Sequence, residues 1–251
     1  MTAPNRIGWL GSVLLIAIFV LLLPGTAFAM HIADGILPLP WAGLWWAVAL
    51  PFLGWGLREL RMLRRATPHI KALVGLVGAA VFVISCVPIP VPTAGTSSHP
   101  CGTGLAAIFI GPGLTVVVAS VALVLQALFL ADGGLTSLGA DLFSLGVAGA
   151  YVGFGAFWLA RRLGLPATVG AFLAGILSDW ATYAMTSIEL ASALHGSGSV
   201  ASMFLAILVA FVPTQLPLGI LEGLLAAGAY RFVLARRPAL LHALSGKEIR
   251  R

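Results

Sequence analysis

Residues 24–35 read Pro24-Gly25-Thr26-Ala27-Phe28-Ala29-Met30-His31-Ile32-Ala33-Asp34-Gly35, and whether the chain is cut inside this stretch decides the number and direction of its membrane crossings. Upstream, Arg6 supplies a positive n-region and Leu10 to Leu23 an apolar run; Pro24-Gly25 breaks the run, and Ala27-Phe28-Ala29 is a small-x-small cleavage site. These are the parts of a secretory signal peptide, so residues 1–29 are expected to be removed. The alternative keeps Met1 to Leu23 as an uncleaved anchor. Translation beginning at Met30 would leave the same amino terminus as cleavage does.

Cutting after Ala29 frees the amine of Met30. That amine, the backbone nitrogen of His31 and the His31 imidazole can close two adjacent chelate rings on one cation, with three nitrogens in a plane. An amine buried inside a longer chain offers no such donor. Planar nitrogen sets suit nickel or copper, and cobalt as well.

The rest of the chain reads as an integral membrane protein. Hydrophobic residues make up 60% and charged residues 9%, far from the average of soluble domains. A spanning helix needs about 20 mostly apolar residues, and seven stretches approach that length: 40–57, 72–87, 101–110, 114–131, 140–160, 166–185 and 201–234. The third is too short to cross unless residues 92–100 also dip into the protein. Irregular backbone at that depth must be buried in protein or line a cavity. The expected fold is therefore all-α: a polytopic membrane protein with about seven transmembrane helices after signal removal, residues 30–251 forming one domain.

Loss of Arg6 leaves 13 basic against 8 acidic side chains, which lowers the net charge from +6 to +5. The basic residues gather at span ends: Arg58, Arg61, Arg64, Arg65 and Lys71 after the first, Arg161 and Arg162 after the fifth, and Arg231, Arg236 and Arg237 after the seventh. With Met30 outside, seven spans put all three clusters in the cytoplasm and the carboxyl terminus inside, as the positive-inside rule requires. The same distribution argues against nucleic-acid binding, which needs a basic face. Cys86 and Cys101 sit among small or apolar neighbours and read as unpaired thiols. Gly149-x-x-x-Gly153 and Gly219-x-x-x-Gly223 have the small-residue spacing of close helix packing, read here as packing within the protein.

Between the second and third spans, Pro88-Ile89-Pro90-Val91-Pro92-Thr93-Ala94-Gly95-Thr96-Ser97-Ser98-His99-Pro100-Cys101-Gly102 cannot be a continuous helix and reads as a shaped loop. His99 in it is flanked by Ser97 and Ser98, hydroxyls able to orient an imidazole. From the outer side His99 could supply the fourth nitrogen to the Met30–His31 chelate, with Cys101 the neighbouring alternative. Asp34, Asp132 and Asp141 fall near the outer rim, where they could draw a divalent cation inward or hydrogen-bond an imidazole. Glu189 is a further acid near a span. Asp179 and Glu222 lie deeper, and pairing with Thr182, Thr214 or Gln215 is expected for them. His69, His195 and His242 have no nearby ligand set. Gly102-x-Gly104 matches part of a dinucleotide fingerprint, but no strand–helix–strand unit surrounds it.

Met-His-Ile-Ala-Asp-Gly-Ile-Leu at a processed terminus, Gly-Thr-Ser-Ser-His-Pro-Cys-Gly-Thr-Gly around His99, Ile-Gly-Pro-Gly at 110–113 and Asp-Gly-Gly-Leu-Thr-Ser-Leu-Gly-Ala-Asp at 132–141 together resemble the CbiM/NikM family. These are the substrate-binding membrane components of energy-coupling factor (ECF) transporters for cobalt and nickel. The resemblance implies an ion held by the Met30 amine, the amide nitrogen and imidazole of His31, and the imidazole of His99. It also implies Ni²⁺ or Co²⁺ as cargo with no resident cofactor, a location in the cytoplasmic membrane, and ECF partners: a transmembrane coupling subunit, ATPase subunits and a small auxiliary membrane subunit. The family loop commonly reads Gly-His-x-x-Gly; here Ser98 precedes the histidine and Pro100-Cys101 follows it.

No Walker A sequence is present, so ATP hydrolysis would come from another polypeptide and the chain itself is not expected to be an enzyme. Two rivals carry different signatures. A secondary transporter would use Asp179 and Glu222 as a proton relay. A membrane metalloenzyme needs an open coordination position with an acid–base residue beside it, which a filled four-nitrogen set lacks.

Overall fold

Each of the seven apolar runs after Met30 contributes a helix, and the breaks between them are rich in glycine and proline. The computed structural model describes residues 31–66, 70–87, 89–91 and 96–237. The signal segment, Met30, His69 and His242 lie outside the described residues. Helix α1 spans Leu39–Ala66, α2 Ile70–Ser85, α3 Thr103–Ile110, α4 Pro112–Leu130, α5 Leu138–Arg162, α6 Ala167–Leu194 and α7 Val200–Arg236. Two short strands, β1 (Ile89–Val91) and β2 (Thr96–Ser98), pair antiparallel with Ile89 opposite Ser98. The shaped loop expected there is thus partly a ribbon. The chain is an all-helical membrane protein: α4, α5 and α7 are each long and apolar enough to cross a bilayer, and α2 is a shorter apolar helix.

Helix α2 shows how sequence sets packing. Its buried residues Ile70, Val74, Val77, Val81 and Ser85 recur every three or four positions and form one inward stripe. Helix α3 has no such stripe, because seven of its eight residues are buried. Eight residues rise only about 12 Å, less than half the hydrocarbon thickness. Gly102 at φ 69 turns the chain into α3 and Gly111 at φ 83 turns it out again, with Pro112 starting α4. Both glycines adopt a left-handed backbone that other residues take only at a cost. The third expected span is therefore a buried half-helix, and the irregular residues His99 to Gly102 leading into it are buried as well.

The spaced glycines close the helix contacts within the chain. A Cβ on Gly104 would lie 2.5 Å from the Ala174 carbonyl oxygen, and one on Gly153 would lie 2.9 Å from the same atom. Gly223 faces Ile176 and Phe172, so α6 and α7 run against each other at backbone distance. Close contact there sets the carboxylates of Asp179 and Glu222 between the two helices.

Candidate metal centre

The segment before α1 is stitched onto the α4–α5 connection. The amide of Ile32 donates to Asp141 Oδ1 at 2.9 Å, and the Ser137 hydroxyl donates to the Ile32 carbonyl. Asp34 accepts the amides of Leu135 (3.2 Å) and Thr136 (2.8 Å) and the Thr136 hydroxyl. These bonds hold its carboxyl below the ordinary range, the Thr136 hydroxyl being the largest cause. Asp34 therefore fastens the α4–α5 connection through both of its oxygens. Gly133 makes room for this seam: a Cβ there would meet His31 Cβ at 2.6 Å.

The seam leaves His31 buried at 1% exposure, with its Nδ1 3.5 Å from Asp132 Oδ2. His99 comes to it from the opposite side. The two rings stand 4.7 Å apart between centroids, tilted by 56°. One nitrogen of each imidazole and one Asp132 oxygen lie within 4.8 Å of one another. His99 Nδ1 donates to the Pro100 carbonyl at 2.8 Å, which fixes the tautomer and leaves the Nε2 lone pair free. Nδ1 of His31 is the nitrogen that can close a six-membered ring with its own amide nitrogen, and it is the one turned toward Asp132.

Among the described residues, both nitrogens of His31, Nε2 of His99, Oδ1 of Asp132 and Oδ2 of Asp141 are buried with no hydrogen-bond partner. Each such atom costs about 1–3 kcal/mol if nothing meets it. Of these residues His31, His99 and Asp132 converge, and two imidazoles with a carboxylate are a donor set suited to a transition-metal cation. The charges agree. Burial lowers the basicity of His31, but the Asp132 contact and the Asp141 and Asp132 charges outweigh it and raise its pKa. Burial followed by the neighbouring His31 lowers His99 to about 4, so that imidazole is neutral and ready to coordinate. Asp132 is lowered: burial opposes this, and the His31 contact prevails.

The His99 side is held by α6 and α7. Tyr183 accepts the His99 amide (3.1 Å), donates to the His99 carbonyl (3.0 Å) and lies 3.3 Å from the Ser98 hydroxyl. Gln215 Nε2 donates to that same hydroxyl. For Ser97 only the backbone, paired with Pro90 in the ribbon, is described. Cys101 lies in a different group: its thiol points to Asp179 Oδ1 at 3.7 Å and its amide to Glu222. Asp179 and Glu222 therefore meet each other and Cys101, not Thr182 or Thr214, whose hydroxyls bond back to Ser178 and Phe211 of their own helices. His195 caps the end of α6 on the Ala191 and Ser192 carbonyls, away from the histidine pair. Cys86 and Cys101 are both free thiols.

Sequence reasoning missed Tyr183 and the clamping role of Gln215. The signal was spacing: Tyr183 follows Asp179 by one helical turn, and Gln215 precedes Glu222 by two, so each pair shares a face. Glu189, buried with both oxygens unpartnered among the described residues, is a third polar group turned into the protein.

Helical architecture and a buried nitrogen–carboxylate cluster at the mouth of a membrane bundle define a metal-handling membrane protein. The chain belongs to the CbiM family, whose model, "Cobalt uptake substrate-specific transmembrane region", matches residues 31–240. It is 60% identical over 215 residues to a cobalt transport protein CbiM of Sorangium cellulosum, covering 86% of this chain and 96% of that one. A cobalt transport protein CbiM of Geobacter sulfurreducens is 58% identical over 221 residues, covering 88% of this chain; the match spans 64% of that longer relative. In fold the chain is similar to a crystal structure of a truncated transition metal transporter, with TM-score 0.72, 24% identity and coverage of 82% of this chain and 99% of that one.

Proposed function

We propose that this chain binds Ni²⁺ or Co²⁺ with high affinity and is the substrate-specific component of an ECF-type ABC transporter in the cytoplasmic membrane. In this reading residues 1–29 are removed as a signal peptide. The ion is then held by the Met30 amine, the His31 amide nitrogen and imidazole, and the His99 imidazole, with Asp132 and Asp141 beside them. A transmembrane coupling subunit, ATPase subunits and a small auxiliary membrane subunit supply the energy; the chain itself performs no catalysis.

The observation that carries this reading is the apposition of His31 and His99 at 4.7 Å, with one nitrogen of each and an Asp132 oxygen within 4.8 Å of one another. Membership of a cobalt-uptake family supports cobalt as cargo. The chemistry of planar nitrogen donors supports nickel as well. A proton-coupled secondary transporter built on Asp179 and Glu222 is less well supported, because Glu222 accepts two backbone amides and is committed to the His99 loop.

The test is metal binding by the processed protein, purified in detergent, against a variant with one residue inserted between Ala29 and Met30 and normal cleavage. Insertion moves the amine off the first chelate ring and should abolish tight binding. Equal affinity in the two proteins would show that the amino terminus does not coordinate. Uptake into liposomes driven by a pH gradient alone would favour the secondary transporter.

A further inference from the structure

Cys101, Asp179 and Glu222 form a second buried group whose ligand-type atoms lie within 4.8 Å of one another. It resembles a metal site, but the Glu222 carboxylate is already used at both ends. Oε1 accepts the amide of Cys101, and Oε2 accepts that of Gly102 at 3.0 Å. A carboxylate accepting two peptide amides is the strong, charge-assisted kind of hydrogen bond. On the other flank of His99, Gln215 grips the Ser98 hydroxyl. Both side chains come from one face of α7, while Tyr183 of α6 holds the His99 peptide between them. Buried peptide groups must find partners, and around His99 those partners are side chains of α6 and α7.

Helix α7 also lacks part of its backbone hydrogen-bond ladder at this level. Pro213 and Pro217 lie inside it on either side of Gln215, and each removes a backbone hydrogen bond. One carbonyl in this stretch, that of Gln215, accepts Trp180 Nε1 of α6 at 3.0 Å.

We infer that Glu222 is a positioning residue for the cation site: with Gln215 it grips Ser98 to Gly102 from α7, so that the place of the His99 imidazole follows the place of α7 against α6. Drawing α7 away from α6 withdraws His99 from the ligand set and weakens the hold on the ion. This rests on the proposed metal-binding function, and it assigns the Cys101–Asp179–Glu222 group to the control of one site rather than to a second one.

The experiment uses the full processed chain and Co²⁺, reading affinity, dissociation rate, visible absorption of the bound ion and stoichiometry. Glu222→Gln keeps the volume but sets an amide N–H against one of the two peptide amides. Co²⁺ should dissociate about tenfold faster, with a changed visible spectrum and one ion per chain. In a His99→Ala background the same substitution should have no further effect on the residual affinity, because Glu222 acts through His99; an equal additional loss there would mean general destabilisation and overturn the inference. Should Glu222→Gln fail to fold, Gln215→Leu loosens the other grip and should shift dissociation and spectrum in the same direction. Wild-type behaviour of the variants beside a clear loss in His99→Ala would sink this inference and leave the proposed function standing. Two ions per wild-type chain would likewise overturn it. Absence of Co²⁺ binding by the wild type would remove the proposed function and this inference together.

Discussion

His31 and His99 are both buried, yet neither is locked into the protein as a core histidine would be. His31 has no hydrogen-bond partner for either nitrogen among the described residues, and His99 uses only Nδ1. His31→Ala and His99→Ala should each weaken Ni²⁺ or Co²⁺ binding at least a hundredfold, about 2.7 kcal/mol, by calorimetric titration, while His195→Ala stays at the wild-type value. The pH dependence follows from His31. Its pKa is raised, so its imidazole still carries a proton at pH values where an ordinary histidine has lost it, and an incoming cation must displace that proton. Affinity should therefore fall as pH drops through and below the neutral range, with protons released on binding. His99, lowered to about 4, contributes little to that slope above pH 5. Flat affinity between about pH 5 and 8 would mean that His31 is not a ligand.

At the scale of the helices, α3 is the element on which the site is hung. It is packed against α6 through Gly104, where a Cβ would meet both the Ala174 carbonyl and the Ser178 side chain at 2.5 and 2.7 Å. Gly104→Val should lower stability by about 1–3 kcal/mol, the usual cost of forcing volume into a packed contact, seen as a lower melting temperature in detergent. The seven helices were legible in the sequence because apolar length and glycine–proline punctuation are local signals, and even the shortness of the third run could be read. His31, His99, Asp132 and Asp141 could be singled out in the sequence as chemistry-bearing residues, and the structure brings ligand-type atoms of the first three within 4.8 Å of one another. The roles of Tyr183, Gln215 and Glu222 were not, because a clamp on a loop more than 80 residues away is set by helix packing that no short window of sequence records. The expected pairing of Asp179 and Glu222 with Thr182, Thr214 or Gln215 differs from the structure for the same reason: the glycine contacts between α6 and α7 bring the two acids to each other and to Cys101.

Across the whole molecule the two ends differ in chemistry. The histidines, Asp132 and the seam of residues 31–36 occupy one end, while Arg58 and Arg61 of α1, Arg161 and Arg162 of α5 and Arg231 and Arg236 of α7 lie near the opposite ends of their helices. If the proposed orientation holds, a membrane-impermeant maleimide applied to intact cells should label Gly196→Cys, beyond the end of α6, and should leave Arg237→Cys unlabelled until the membrane is opened. The reverse pattern would turn the protein over. The long reach of the contacts around His99 also bears on how the protein is made. Ile32 meets Asp141 across 109 residues, but Cys101 waits for Glu222 across 121. A ribosome adding about 5–20 residues per second needs roughly 6–24 s to cover that second interval. During this time the half-helix α3 has no lipid-spanning length of its own, and of the side chains that hold the segment before it only Tyr183 is in place. A chain halted before α7 would hold the His99 peptide by Tyr183 alone, without the grip that Gln215 and Glu222 put on Ser98, Cys101 and Gly102.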